Sequence, residues 1–192
     1  NGTSLISRTV NTYQVIDLGG IGCAGGRCFP YVSSSTATNY EITGGNPLIQ
    51  TTVSGFTYDS FGNATQVSTT TTDNHSASPF YGQSWSSAVS HTITNDATYW
   101  CLGKPTVTTT QNTVPGQAAA TRRVDHAVDY VNCRFTSETL EPGSALLKVE
   151  TGFGFDTCGN MNSMSVVGRD KTGAAMPART PAMTAMTAIT LD

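Results

Sequence analysis

Charge is what this 192-residue sequence has least of. Asp, Glu, Lys and Arg make up 12% of it, against roughly 25% in an average soluble protein. The ten basic residues are outnumbered by thirteen acidic ones, for a net charge of −3, and only Arg122-Arg123 sets two basic residues side by side. With no basic field to meet phosphates, nucleic acid is not an expected partner. Long apolar runs are also missing: none approaches the roughly 18 to 20 residues a membrane helix needs, so no membrane span is expected. The first residues, Asn1-Gly2-Thr3-Ser4-Leu5, include no initiating Met and no signal peptide. The expectation is a piece of a longer polypeptide whose end strands lack their natural neighbours.

Catalytic constellations are equally scarce. His75, His91 and the pair Asp125-His126 coexist with many serines, but no serine lies in a G-x-S-x-G elbow. His126 alternates with Val124 and Val128 and reads as a strand-face residue. The glycine-rich stretch Leu18 to Cys28 lacks the Lys-Ser/Thr and the following helix of a phosphate loop. The sequence therefore predicts no enzyme, no cofactor and no metal. Five cysteines are present. Cys23 and Cys28, with four residues between them, can bridge within their loop, which would suit an oxidising compartment. A metal site would want a tighter pair and a second pair. Cys101, Cys133 and Cys158 read as small buried apolar groups.

Ser and Thr, by contrast, supply about a quarter of the chain, a composition that favours strands and turns over helices. Within it one pattern occurs twice: Phe56-Thr57-Tyr58-Asp59-Ser60-Phe61-Gly62-Asn63 and Phe153-Gly154-Phe155-Asp156-Thr157-Cys158-Gly159-Asn160. Gly62 and Gly159 can take positive φ, and Asn63 and Asn160 tolerate the left-handed region. Asp59 and Asp156 are placed to accept backbone N–H groups of the residues that follow. Their recurrence follows the turn, so paired carboxylates for glycoside hydrolysis are not needed to explain them. Each copy predicts a strand end and a hairpin turn. Around the second, Leu147, Val149, Thr151, Phe153 and Phe155 alternate with Lys148, Glu150, Gly152 and Gly154, which predicts one strand. Met164 and Val166 then stand where Val67 and Thr69 follow the first copy. Tyr99-Trp100-Cys101-Leu102-Gly103-Lys104 reads as a degenerate third copy that has lost Asp and Asn, with a strand from Pro105.

The segments Tyr58-Asp59-x-x-Gly62-Asn63 and Phe155-Asp156-x-x-Gly159-Asn160, with Trp100-x-Leu102-Gly103 between them, resemble the YD repeats of bacterial Rhs toxins and of the B and C components of Tc toxins. That resemblance implies an all-β fold of antiparallel β-hairpin repeats forming part of a spiral shell, a fragment of a larger β-cage. It further implies a secreted or cell-surface bacterial protein whose partners are flanking YD repeats of the same polypeptide and an enclosed toxic C-terminal effector. The family's self-cleaving motif of paired Asp-Pro-x-Gly elements is missing; Glu141-Pro142-Gly143 is a faint echo.

Three regions follow: irregular strands and the glycine-rich loop over 1–40, the repeat region over 41–170, and an interrupted or flexible tail over 171–192. Strands are expected around Tyr13 to Ile16, Phe29 to Val32, Tyr40 to Thr43 and Ile49 to Val53, with a loop insertion from Asp73 to Gln83. Gln117 to Val131 holds helix-forming residues, but the alternation of Val124, His126, Val128 and Tyr130 predicts a strand. A competing reading is a secreted carbohydrate-binding β-domain, with Tyr81, Trp85 and Trp100 as sugar platforms and glycans as partners. In that reading Tyr81 and Trp85 lie in a loop and Trp100 at a repeat position.

Overall fold

The computed structural model describes residues 5–17, 28–42 and 45–180. Among them there is no helix, and ten strands follow the chain order without a crossover. They are β1 (Ser7–Asp17), β2 (Cys28–Tyr40), β3 (Leu48–Tyr58), β4 (Ala64–Asp73), β5 (Ser84–Ile93), β6 (Pro105–Thr113), β7 (Ala120–Asp129), β8 (Arg134–Leu140), β9 (Val149–Phe155) and β10 (Met161–Val167). The fold is all-β and antiparallel, as the composition and the period-two runs predict. The chain divides into two compact units, Asn1–His91 with Thr109–Thr121, and Thr92–Thr108 with Arg122–Asp192.

In the first unit β1 to β5 pair in succession. Hydroxyls face each other across the ladders: Ser54 with Thr69 at 3.3 Å, Thr52 with Thr71 at 3.2 Å, Thr57 with Thr65 at 2.9 Å and Thr72 with Ser84 at 2.7 Å. Each such pair contributes about 0.2–1 kcal/mol. At one end of the sheet the face turns aromatic, where Tyr58 packs on Tyr31 at 4.7 Å and on Phe29 at 5.7 Å. β1 is exposed along nearly its whole length.

The second unit contains β7 to β10, again paired in succession. Beyond β10 the chain turns back, and Val166 and Arg179 exchange N–H···O bonds at 2.9 Å. Arg169 and Lys148 both pair with Glu150, Lys148 at 2.8 Å. In neither unit does a second layer cover the strands: among the described residues only Cys101 is fully buried. Ladder hydrogen bonds, cross-strand pairs, ring contacts and disulfides therefore carry the stability that a core normally supplies.

Several sequence expectations shift. Tyr40 ends β2 instead of opening a strand of its own, because Ser33 to Asn39 keep the extended conformation and Glu41 N–H then bonds Pro47 O across a turn. β9 begins at Val149, not Leu147. Ser144 Oγ accepts the Leu147 N–H at 3.0 Å, so the turn after β8 runs on and leaves Leu147 exposed. Gln117 to Val131 contains β7, the strand its alternation predicts, and the Asp73–Gln83 insertion joins β4 to β5. The glycine-rich residues 18–27 and the tail from 181 lie outside the described residues.

Candidate functional site

The two copies of the repeated motif form one structure. Asp59 Oδ1 accepts the N–H groups of Phe61 and Asn63, each at 2.9 Å, and Oδ2 accepts Asn63 Nδ2–H at 2.9 Å. Asp156 does the same with Cys158 at 2.9 Å, Asn160 N–H at 2.8 Å and Asn160 Nδ2–H at 3.2 Å. In both, Asp N–H donates to Asn O at 2.9 Å and Gly N–H to Asp O at 3.1 Å. Gly62 and Gly159 sit at φ 85° and 86°, a region where an L side chain costs roughly 1–2 kcal/mol. The backbone N–H of Asn160, followed by its side-chain amide, holds the Asp156 carboxyl below its ordinary range.

The likeness extends beyond the turn. Phe56 faces Val67 and Phe153 faces Met164; Ser54 faces Thr69 and Thr151 faces Val166. Gly55 opposite Ser68 and Gly152 opposite Ser165 complete the match, and a Cβ on either glycine would approach the serine Oγ to 3.0 or 2.9 Å. The unit is thus Ser/Thr-Gly-Phe-x-aromatic-Asp-x-x-Gly-Asn-x-x-x-apolar-Ser. Its outer Gly and Ser were readable in the sequence as a conserved spacing between the copies, but they carry no turn chemistry and escape a search for turns.

A third turn of this kind was missed for a related reason. Asp170 Oδ1 accepts Thr172 N–H at 2.8 Å and Ala174 N–H at 3.0 Å, Asp170 N–H donates to Ala174 O, and Gly173 has φ 86°. The spacing Asp-x-x-Gly was its signal, without rings before it. The Thr172 hydroxyl, with the N–H groups of Thr172 and Ala174, lowers the Asp170 pKa.

The segment at Trp100 is not a strand-end copy. Asp96, upstream of the rings, accepts the N–H groups of Thr98 at 2.8 Å and Tyr99 at 3.0 Å, and Asn95 Oδ1 accepts Gly103 N–H at 2.9 Å. The acid and amide precede the rings, which puts Trp100 on the outside of the turn, at φ 56° and 73% exposed, and not on a strand face. Next to it, Cys101 is bonded to Cys133, with Cα atoms 5.1 Å apart. This corrects the reading of both as free apolar thiols: each lies at the return of a turn, and the two turns meet. Cys158 is exposed at the tip of its own turn, not buried. Cys28 is disulfide-bonded, and Cys23 lies outside the described residues.

Trp85 is in β5, opposite Thr71, and not in a loop, because the strand starts at Ser84. Phe80 meets its indole edge-on at 5.9 Å, and Tyr81 is exposed in the preceding turn. Trp85 lines a cleft of about 730 Å³ in the first unit, together with Asn39, Gln50, Asp73, Glu41 and His75 among others. Asn39, Gln50 and Asp73 stand in one cross-strand row. Asn39 Nδ2–H donates to Gln50 Oε1 at 2.8 Å. Asp73 accepts Ser78 Oγ–H at 2.5 Å and His75 N–H at 2.8 Å, and these bonds lower its pKa. His75 Nε2 is 3.6 Å from Glu41.

His126 projects from β7 between Thr108 Oγ1 and Glu138 Oε1, each 3.4 Å away, and packs on Phe135 at 5.1 Å. Among the described residues no group of three or more His, Cys, Asp or Glu is arranged to hold a metal ion, and no helix is long and apolar enough to cross a membrane. No family model and no curated protein matches the sequence.

Proposed function

We propose that this chain is a non-catalytic structural segment of an Rhs/YD-repeat shell, which encloses a toxic C-terminal effector and helps deliver it. The observation that carries the reading is the repeated hairpin, which keeps one hydrogen-bond set and one register in both copies. Such hairpins bury little by themselves: one fully buried side chain among the described residues is too small a core for an independent binding domain. Stacked hairpins give each strand a partner and the rings a common layer. β1 offers a long strand edge to a preceding repeat. The natural partners are then flanking repeats and the effector. The Cys101–Cys133 bond suits a secreted or cell-surface location in bacteria.

Limited proteolysis of the complete gene product tests the proposal. The region downstream of this chain is expected to resist digestion until the β-rich part is unfolded. Digestion of that region at the rate of a free peptide, or a gene product that ends with this chain, refutes the shell. A second reading, a secreted carbohydrate-binding β-domain, is favoured by the cleft beside Trp85; Tyr81 and Trp100 add nothing to it, since neither lines that cleft.

A further inference from the structure

We infer that the turns carrying Trp100 and Val131 form one tip of the second unit, and that this tip docks on a neutral lipid surface. The Cys101–Cys133 bond brings the two turns together, and both belong to that unit. Three large side chains stand out from them: Trp100 at 73% exposed, Val131 at 62% and Tyr99 at 54%. Trp100 and Cys133 both have positive φ, 56° and 50°, a region that bulky L residues rarely enter. Such outliers persist only where their surroundings hold them, and they cluster at functional sites. Here the disulfide joins the two outlying turns, and the result is an indole presented to solvent.

The chemistry of the tip selects the partner. No Asp, Glu, Lys or Arg lies between Asp96 and Lys104, or between Asp129 and Arg134. The backbone is also prepared for a medium of low polarity, where an unmet N–H is costly. Thr98 and Tyr99 N–H both donate to Asp96 Oδ1, Cys101 N–H to Asp96 O, Gly103 N–H to Asn95 Oδ1 and Asn132 N–H to Asp129 Oδ1. Trp and Tyr settle at the headgroup level of a bilayer, where an apolar body meets a wet rim. Lys104, which closes the turn and lies 5.0 Å over the Phe135 ring, borders the tip where a cation would meet lipid phosphate. A protein partner needs more area: the three side chains expose on the order of 400 Å², about half of the roughly 800 Å² per partner in a stable complex. A bilayer accepts a convex tip of that size without a matching pocket. The contact is interfacial, and nothing spans the membrane.

The inference does not depend on the shell proposal, and its test needs no downstream region. The chain has two tryptophans, so in Trp85→Phe the fluorescence of Trp100 reports the tip alone. Phosphatidylcholine vesicles are expected to shift its emission to the blue, and brominated phosphatidylcholine to quench it. Half of the chain should be bound at about 1 mM lipid, tenfold weaker than the roughly 10⁴ M⁻¹ of a single myristoyl chain. Trp100→Gly suits the positive φ and so keeps the turn. In co-sedimentation with vesicles it should lower binding by about tenfold, and Val131→Ser by about threefold. No change in emission up to about 10 mM lipid, binding unchanged in Trp100→Gly, binding to phosphatidylglycerol vesicles alone, or a lipid-free dimer that Trp100→Gly dissolves in place of vesicle binding overturns the inference.

Discussion

The first and second copies of the repeated hairpin share a backbone and differ in what props up their ring. In the first unit Tyr58 leans on two aromatic neighbours from β2, Phe29 and Tyr31, and the Phe29 ring also lies 3.5 Å from where a Gly62 Cβ would stand. In the second, the Arg134 guanidinium covers the Phe155 ring at 4.2 Å, and Asp129 holds that guanidinium from 3.4 Å. Packing that differs this much around one unchanged turn shows where the specification lies. The Asp, Gly and Asn fix the chain reversal locally, and the neighbouring strand has only to offer something flat to the ring.

The largest break in the comparison comes from the disulfide. Cys101 and Cys133 are 32 residues apart, and chain entropy assigns a loop of that length about 4 kcal/mol. Cys101→Ser with Cys133→Ser should therefore lower the denaturation midpoint of the second unit. Hydrogen exchange should show amides of β7 and β8 losing protection while those of β3 and β4 keep theirs. Equal loss in both units would mean they unfold as one.

Next come the rings. Tyr58→Ala removes a half-buried side chain with two ring partners, and about 2 kcal/mol of stability should go with it, half the cost of a fully buried aromatic. Arg134→Ala removes a cation–π partner and should cost about 1 kcal/mol. Chemical denaturation of the two variants measures the difference; a larger loss for Arg134→Ala would make the guanidinium, not the aromatic pair, the stronger support.

Acid should act on the turns themselves. Asp156 and Asp170 have lowered pKa values in the folded chain, through the N–H and side-chain bonds of Asn160 and of Thr172 and Ala174. Folded values below the unfolded one, ordinarily about 3.8, give stability that is present above that pH and lost as pH falls through the folded values. Asp156→Asn should melt below the parent at pH 7, and the gap should narrow as pH falls below the ordinary carboxylate range, through the lowered folded value. A gap independent of pH would mean the charge plays no part.

Turn chemistry was legible in the sequence because it is local. Asp59, Gly62, Asn63 and their second-copy counterparts are fixed by the φ and hydrogen-bond needs of four or five consecutive residues. Alternation made several strands legible, β7 and β9 among them, whereas β5 and β8 were not expected, Trp85 of β5 having been assigned to a loop. What escaped reading depends on partners distant in the chain: Cys101 meeting Cys133, Gly55 making room for Ser68, Trp85 opposite Thr71 beside a polar row. Asp96 escaped for another reason, since it does the same work from ahead of the rings instead of after them.

The strictly sequential pairing of β1 to β5, and of β7 to β10, also has a kinetic side. Each strand joins the one made just before it, across short loops, so contact order within a ladder stays low for an all-β protein. A chain emerging from its N-terminus can add strand after strand to a growing edge, with no early strand waiting long for a late one. The Cys101–Cys133 bond spans a nascent hairpin and its successor, and it can close only once β6, β7 and the turn after them have been made.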